Sequence, residues 1–191
     1  YNRGGMWYTP VSGIWQTVWL ESVPADYVQA LSVTTDESGV TIVAEGVSDG
    51  VVTVTTPDGN LLVPMQDGAA RVDLPEPRLW CPEDPYLYEY TVEAGEDTVQ
   101  SYFAVRTLDV RRVDGLPRMC LNGKPVFFHA VLDQGYWSDG LFTPADPVCY
   151  ENDILAMKSL GFNTLRKHIK AEPEQFYYDC DRLGMLVMQD M

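Results

Sequence analysis

The 191-residue chain carries 13 Lys and Arg against 28 Asp and Glu, a formal net charge of −15. That balance excludes a general nucleic-acid binder, which needs a broad basic face to neutralise phosphates, and it argues against an anionic membrane surface as partner. With 46% apolar residues the chain is globular and long enough for one domain or two.

From Tyr27 to about Val113 the sequence is a succession of short β-rich runs: "YVQALSVTT", "VTIVAEG", "VVTVTT", "NLLVPMQ", "ARVDL", "LYEYTVEA" and "TVQSYFAVRTLDVRRV". Turn signals such as Glu37-Ser38-Gly39, Pro57-Asp58-Gly59, Asp67-Gly68 and Gly95-Glu96-Asp97 separate them. Seven runs at this spacing predict an antiparallel, immunoglobulin-like β-sandwich. In "VTVTT" and "YEYTVEA" apolar and polar residues alternate, as they must when one face is buried and the other solvated. The link "LPEPRLWCPEDPYLY" contains four prolines that lack an N–H donor, so it is expected to cross from one sheet edge to the next.

After Val113 the rhythm changes. "MCLNGKPVFF" predicts a hairpin centred on Asn122-Gly123, since a type I′ turn needs positive φ at both positions. "PVFFHAV" reads as a continuously apolar parallel strand covered on both faces. Asp146 is expected to cap a helix with Pro147 in its first turn, Tyr150, Ile154, Met157 and Leu160 forming its apolar stripe and Gly161 its end. The strand "FNTLR", a second helix from Pro173 to Leu183 closed by Gly184, and the strand "MLVMQ" complete a β-α-β-α-β pattern. Either a doubly wound sheet or a (β/α)8 barrel has this order. No G-x-G-x-x-G turn supports a nucleotide site, and three strands cannot close a barrel of about 250 residues, so the barrel reading requires further chain. The opening at Tyr1 and the end just after "MLVM" likewise read as a piece of something longer.

In both architectures function sits at the carboxyl ends of the parallel strands. Those ends carry Asp133, Gln134, Tyr136 and Trp137, then Arg166, Lys167, His168 and Lys170, then Gln189 and Asp190. Carboxylates and guanidinium groups that bind paired hydroxyls, beside aromatic rings that lie on C–H faces, suit a hydroxyl-rich ligand. Lys167 and Lys170 read as solvated or paired with carboxylates such as Glu172 and Glu174. Arg166 ends a buried strand and must point into a barrel or onto a helix. His129, inside "FFHAV", reads as a satisfied core histidine. Neither histidine has companions at metal-ligand spacing, and no cofactor is expected. No G-x-S-x-G elbow or P-loop is present. Cys81, Cys120, Cys149 and Cys180 form no C-x-x-C pair and read as buried, reduced thiols, which points to a cytoplasmic setting.

The chain resembles the family 2 glycoside hydrolases, the group of β-galactosidases, β-glucuronidases and β-mannosidases. The resemblance is carried by "SGIWQTVWLE", by "RLWCPEDPYLYEYTV" and "SYFAVRTLDV", and by "LNGKPVFFHAV", "DILAMKSLGFNTLR" and "FYYDCDRLGMLVMQD". It implies three parts: residues 1–22 as the last strand of a jelly-roll sugar-binding domain, 23–113 as an immunoglobulin-like sandwich, and 114–191 as the first three strands and two helices of a (β/α)8 barrel. It also implies retaining hydrolysis by two glutamates that follow the fourth and seventh barrel strands, so this segment alone is expected to be inactive and its partner to be a carbohydrate. Arg166 stands where the family has an arginine ending the second strand, and His168 falls one position before the family's histidine. Gln189-Asp190 occupies the place of an Asp-Glu pair, in a form similar to the mannosidase branch. "LDQGYW" replaces the family's arginine-histidine cluster, with Asp133 and Trp137 expected to fill that space. The competing readings are a non-catalytic carbohydrate-binding or scaffolding protein and a nucleotide-binding α/β domain behind a sandwich. Uncovered barrel strands are further expected to be poorly ordered or to pair with a second copy of the chain.

Overall fold

A computed structural model describes residues 11–190. Its contacts divide the chain into two units, Glu21–Phe127 and a second that joins Phe128 onward to the residues before Glu21. Residues 11–29 form no strand, including the described part of the segment read as the close of a jelly roll.

In the first unit, β1 (Ala30–Asp36), β2 (Gly39–Glu45) and β5 (Ala69–Asp73) make one antiparallel sheet in the order β1-β2-β5. A second holds β3 (Gly50–Thr56), β4 (Gly59–Met65), β6 (Tyr88–Ala94) and β7 (Asp97–Phe103) in the order β4-β3-β6-β7. Alternate residues of both sheets fill one shared core: Val40 and Ile42 from β2, Val52 and Val54 from β3, Val72 from β5, Tyr90 and Val92 from β6. The alternation predicted for "YEYTVEA" is observed, with Tyr88, Tyr90, Val92 and Ala94 buried and Glu89 and Glu93 exposed. The proline-rich link forms no strand, and Trp80 within it is buried, its N–H bonded to the Val105 carbonyl. It leads from the edge strand β5 to the interior strand β6 and not to a second edge.

The run from Thr98 to Val113 is not one strand. It stops at Phe103, and Leu108–Val113 (β8) pairs with Leu116–Leu121 (β9) and through it with Lys124–Pro125 (β10) in a sheet of their own. The turn between β8 and β9 is Asp114-Gly115, both at positive φ. An Asp-Gly pair is itself a hairpin signal. The predicted Asn122-Gly123 turn is present, with φ of 51° and 74°. Asn122 also accepts the Thr107 N–H at Oδ1 and donates from Nδ2 to the Trp80 carbonyl. Asn122→Ala should therefore cost about 2 kcal/mol, since it strands two partly buried backbone groups and puts alanine at positive φ; urea unfolding would measure the loss.

In the second unit, β11 (Ala130–Asp133), β12 (Thr164–Lys167) and β13 (Leu186–Gln189) form a parallel sheet in chain order, with α1 (Val148–Ser159) and α2 (Glu174–Leu183) between them. The helices fall close to their predicted bounds. The Asp146 carboxylate accepts the Val148 N–H, and Gly184 closes α2 in the left-handed conformation. Tyr150, Ile154, Leu165, Phe176, Cys180 and Met185 make the core between helices and sheet.

Two expectations need correction. The first parallel strand is only Ala130–Asp133; Val126–His129 lie outside it, and Phe127 is 81% exposed. Its faces are unequal, because Val131 is in contact with the helical core while Leu132 is 51% exposed. Leu160, read as part of the apolar stripe of α1, is 68% exposed, since the helix ends at Ser159 and the chain turns away.

Candidate functional site

Side chains alternate along a strand, so the parallel sheet presents two different faces. Leu132, Arg166 and Met188 are in register on the face opposite the helices, and all three are exposed. Val131, Leu165 and Val187 occupy the other face, against α1 and α2. Adjacent cations therefore part company: Arg166 is on the open face, and Lys167 is fully buried on the covered one.

On the open face three predicted residues meet. The Arg166 guanidinium donates from Nε and Nη2 to the two oxygens of Asp190, both at 3.1 Å, and His168 Nδ1 is 2.9 Å from Asp190 Oδ2. Hydrogen bonds from Arg166 and His168 hold the Asp190 carboxyl below the usual carboxylate range. With Nε and Nη2 closed on Asp190, the cluster leaves the remaining Arg166 N–H donors and the second lone pair of Asp190 Oδ1 for an incoming hydroxyl. Its contribution to folding is present above the ordinary carboxylate pKa of about 3.9 and disappears as pH falls through the lower folded value. Asp190→Asn should thus reduce stability at neutral pH but lose its effect at the acidic end of a denaturation series.

Asp133 and Trp137 do not join this cluster. Asp133 is in register with Lys167 and accepts its ammonium at 2.9 Å and the Gly135 N–H at 2.8 Å. The indole of Trp137 meets Tyr150 edge-on, and its buried Nε1 has no hydrogen-bond partner among the described residues. Both residues line a cavity of about 450 Å3 walled by Val131, Ile154 and Phe176, on the helix side of the sheet. Strand register explains the place of Asp133, because paired residues share a face, and Asp133 is paired with Lys167 while Leu132 is paired with Arg166. A second cavity, of about 350 Å3, lies at the carboxyl end of the strands and is walled by Trp15, Tyr136 and Phe142, with the amides of Gln16 and Gln134.

Lys167 and Lys170 are paired, as expected, but not solvated. Both ammonium groups bind the Glu172 carboxylate, at 2.5 and 2.9 Å, and all three residues are buried. Burial pushes Lys170 below the ordinary lysine range, with Glu172 opposing that shift. His129 is exposed and not a core residue; its Nδ1 is 2.9 Å from the Gly161 carbonyl and its ring lies against Phe162. Among the described residues no group of three His, Cys, Asp or Glu is arranged to hold a metal ion, and no helix is long and apolar enough to cross a membrane. All four cysteines are free.

Comparison with known proteins bears out the resemblance. Residues 25–106 match the family model of the glycosyl hydrolases family 2. A β-galactosidase of Aeromonas hydrophila is 33% identical over 128 residues, which are 62% of this chain and 12% of that protein. A β-galactosidase of Oenococcus oeni is 26% identical over 94% of the chain and 20% of its own length. Among solved structures, the β-glucuronidase of Faecalibacterium prausnitzii superposes with a TM-score of 0.74 at 28% identity, covering 86% of this chain and 28% of that one. The β-glucuronidase of Dictyoglomus thermophilum, at 20% identity and a TM-score of 0.72, shows the shared fold. The chain is thus similar in sequence and fold to family 2 glycosyl hydrolases, and it spans from about an eighth to under a third of the length of these relatives.

Proposed function

We propose that this chain is part of a retaining β-glycosidase that removes non-reducing terminal β-linked sugars, and that Arg166, His168 and Asp190 form one wall of its sugar pocket. In this reading residues 23–113 are an immunoglobulin-like sandwich, and 114–191 open a (β/α)8 barrel whose interior is the face that carries Arg166. The observation that carries the proposal is the Arg166–Asp190–His168 cluster at the carboxyl ends of parallel strands, on the face away from the helices. The aromatic-walled cavity at the same end of the sheet supports it, since rings beside amide groups suit the C–H and hydroxyl surfaces of a sugar. The names of the relatives, β-galactosidase and β-glucuronidase, agree on the reaction class and differ on the sugar.

Retention requires two carboxylates about 5–5.5 Å apart, one as nucleophile and one as acid/base. Asp190 is committed to Arg166 and His168, and Glu172 to two lysines, so neither is assigned either role. The segment by itself should therefore show no turnover. The test is a panel of aryl β-glycosides assayed on the full-length polypeptide and on these 191 residues side by side. Turnover of at least one glycoside by the former and none by the latter is expected. Saccharide binding without turnover by the full-length polypeptide would favour a non-catalytic carbohydrate-binding protein.

A further inference from the structure

Side-chain hydrogen bonds and ion pairs tie together the loops that follow all three parallel strands, and Glu172 takes part through Lys167, Lys170 and Tyr177. From the loop after β12, Lys170 Nζ donates to the Gly135 carbonyl at 2.6 Å and to the Phe142 carbonyl, both in the connection after β11. Lys167 joins Glu172 to Asp133 at the end of β11. The Tyr177 hydroxyl accepts the Glu172 N–H at 3.1 Å and donates to Gln189 Oε1 at 2.7 Å, and Gln189 Nε2 donates to the carbonyls of Lys170 and Asp190. Two backbone bonds complete the frame, from His168 N to the Asp133 carbonyl and from Asp190 N to the Lys167 carbonyl.

The side chains of Lys167, Lys170, Glu172, Tyr177 and Gln189 are outside the Arg166–His168–Asp190 cluster, yet the network reaches it, since Lys167 and Gln189 are its chain neighbours and the backbone N–H groups of His168 and Asp190 are tied to Asp133 and Lys167. A core need not contain charge to be stable, and a buried ion pair is often no more stabilising than apolar packing of the same volume. Such a pair does impose direction, because ammonium and carboxylate must meet at fixed distances.

We infer that Glu172 and Tyr177 are positioning residues for the sugar-binding wall, holding the three loops so that Asp190 stays between Arg166 and His168. The inference rests on the sugar-pocket reading for its functional part, but its geometric part is independent of it.

Tyr177→Phe removes one hydroxyl and no charge, so it separates positioning from folding; Glu172→Gln is the stronger companion. The chain has only two histidines, His129 and His168, so histidine-selective 15N labelling resolves the ring next to Asp190. Tyr177→Phe, with its circular dichroism unchanged, should shift the His168 ring resonances and leave those of His129 in place. In the full-length polypeptide the same variant should raise KM for an aryl β-glycoside about five-fold with kcat nearly unchanged. Wild-type His168 resonances in folded Tyr177→Phe would overturn the positioning role. Arg166→Ala separates the two readings: if it leaves KM unaltered, the sugar wall is wrong and the resonances alone decide positioning. If Arg166→Ala raises KM while folded Tyr177→Phe does not, positioning is overturned and the wall stands.

Discussion

Glu172→Gln should lower the unfolding free energy by about 3–5 kcal/mol, the usual cost of removing one partner from a buried ion pair. The carboxylate is the shared counter-ion of Lys167 and Lys170, and the three residues are 5%, 0% and 7% exposed. Gln fills the same space but leaves two ammonium groups against a neutral amide, with Asp133 the remaining carboxylate within reach of Lys167. The size of the loss is large beside a typical domain stability of about 5–15 kcal/mol. It also carries a pH signature. Burial already depresses Lys170, and without Glu172 its folded pKa falls further below the unfolded value of about 10.4. Between those two values the unfolded state binds more protons, so the variant should regain stability as pH rises toward that of free lysine. Urea unfolding at several pH values would test both parts, and a loss under about 1 kcal/mol would show that the lysines find solvent instead.

Gly135→Ala is expected to lose about 2–5 kcal/mol through the same cluster. Gly135 has φ of 63°, where a side chain costs about 1–2 kcal/mol, and a methyl group there would lie 2.2 Å from Glu172 Oε1 and 2.7 Å from each lysine Nζ. Those atoms are held by their own ion pairs, so they cannot move aside without breaking them, and forcing atoms into a packed site adds about 1–3 kcal/mol. The Gly135 carbonyl also accepts a hydrogen bond from the Lys170 ammonium, so the backbone cannot relax freely. Thermal unfolding should show a lower midpoint than for a control such as Gly95→Ala, which shares the positive φ but meets nothing within 4 Å. Equal losses at the two sites would mean that backbone conformation alone matters at Gly135.

The features legible in the sequence are those that depend on neighbours along the chain. Asn122-Gly123 specifies its turn because two adjacent residues accept positive φ, and Val52 and Val54 declare an inward face because alternation is a two-residue property. Gly184 closes α2 for the same kind of reason. The split of "TVQSYFAVRTLDVRRV" into β7 and β8 was less legible, since both halves are β-formers and only pairing with β6 or β9 distinguishes them.

The candidate site divides along the same line. The residue types and their place at strand ends could be read from sequence, which was enough to bring Arg166, His168 and Asp190 forward together. Alternation even requires that Arg166 and Lys167 point to opposite faces. Which face the helices cover is a matter of packing, and it alone left Arg166 exposed and Lys167 buried. Asp133 went to the covered side for that reason. The burial of Glu172 was out of reach of any local rule, because its carboxylate is held by Lys167 and Lys170, which in turn bond to Asp133 at the end of β11 and to Gly135 just beyond it. Sequence determined most of the strands, turns and helices and the family they resemble; tertiary structure decided which of two adjacent cations is exposed, because desolvation depends on what lies across the sheet and not on what lies next in the chain.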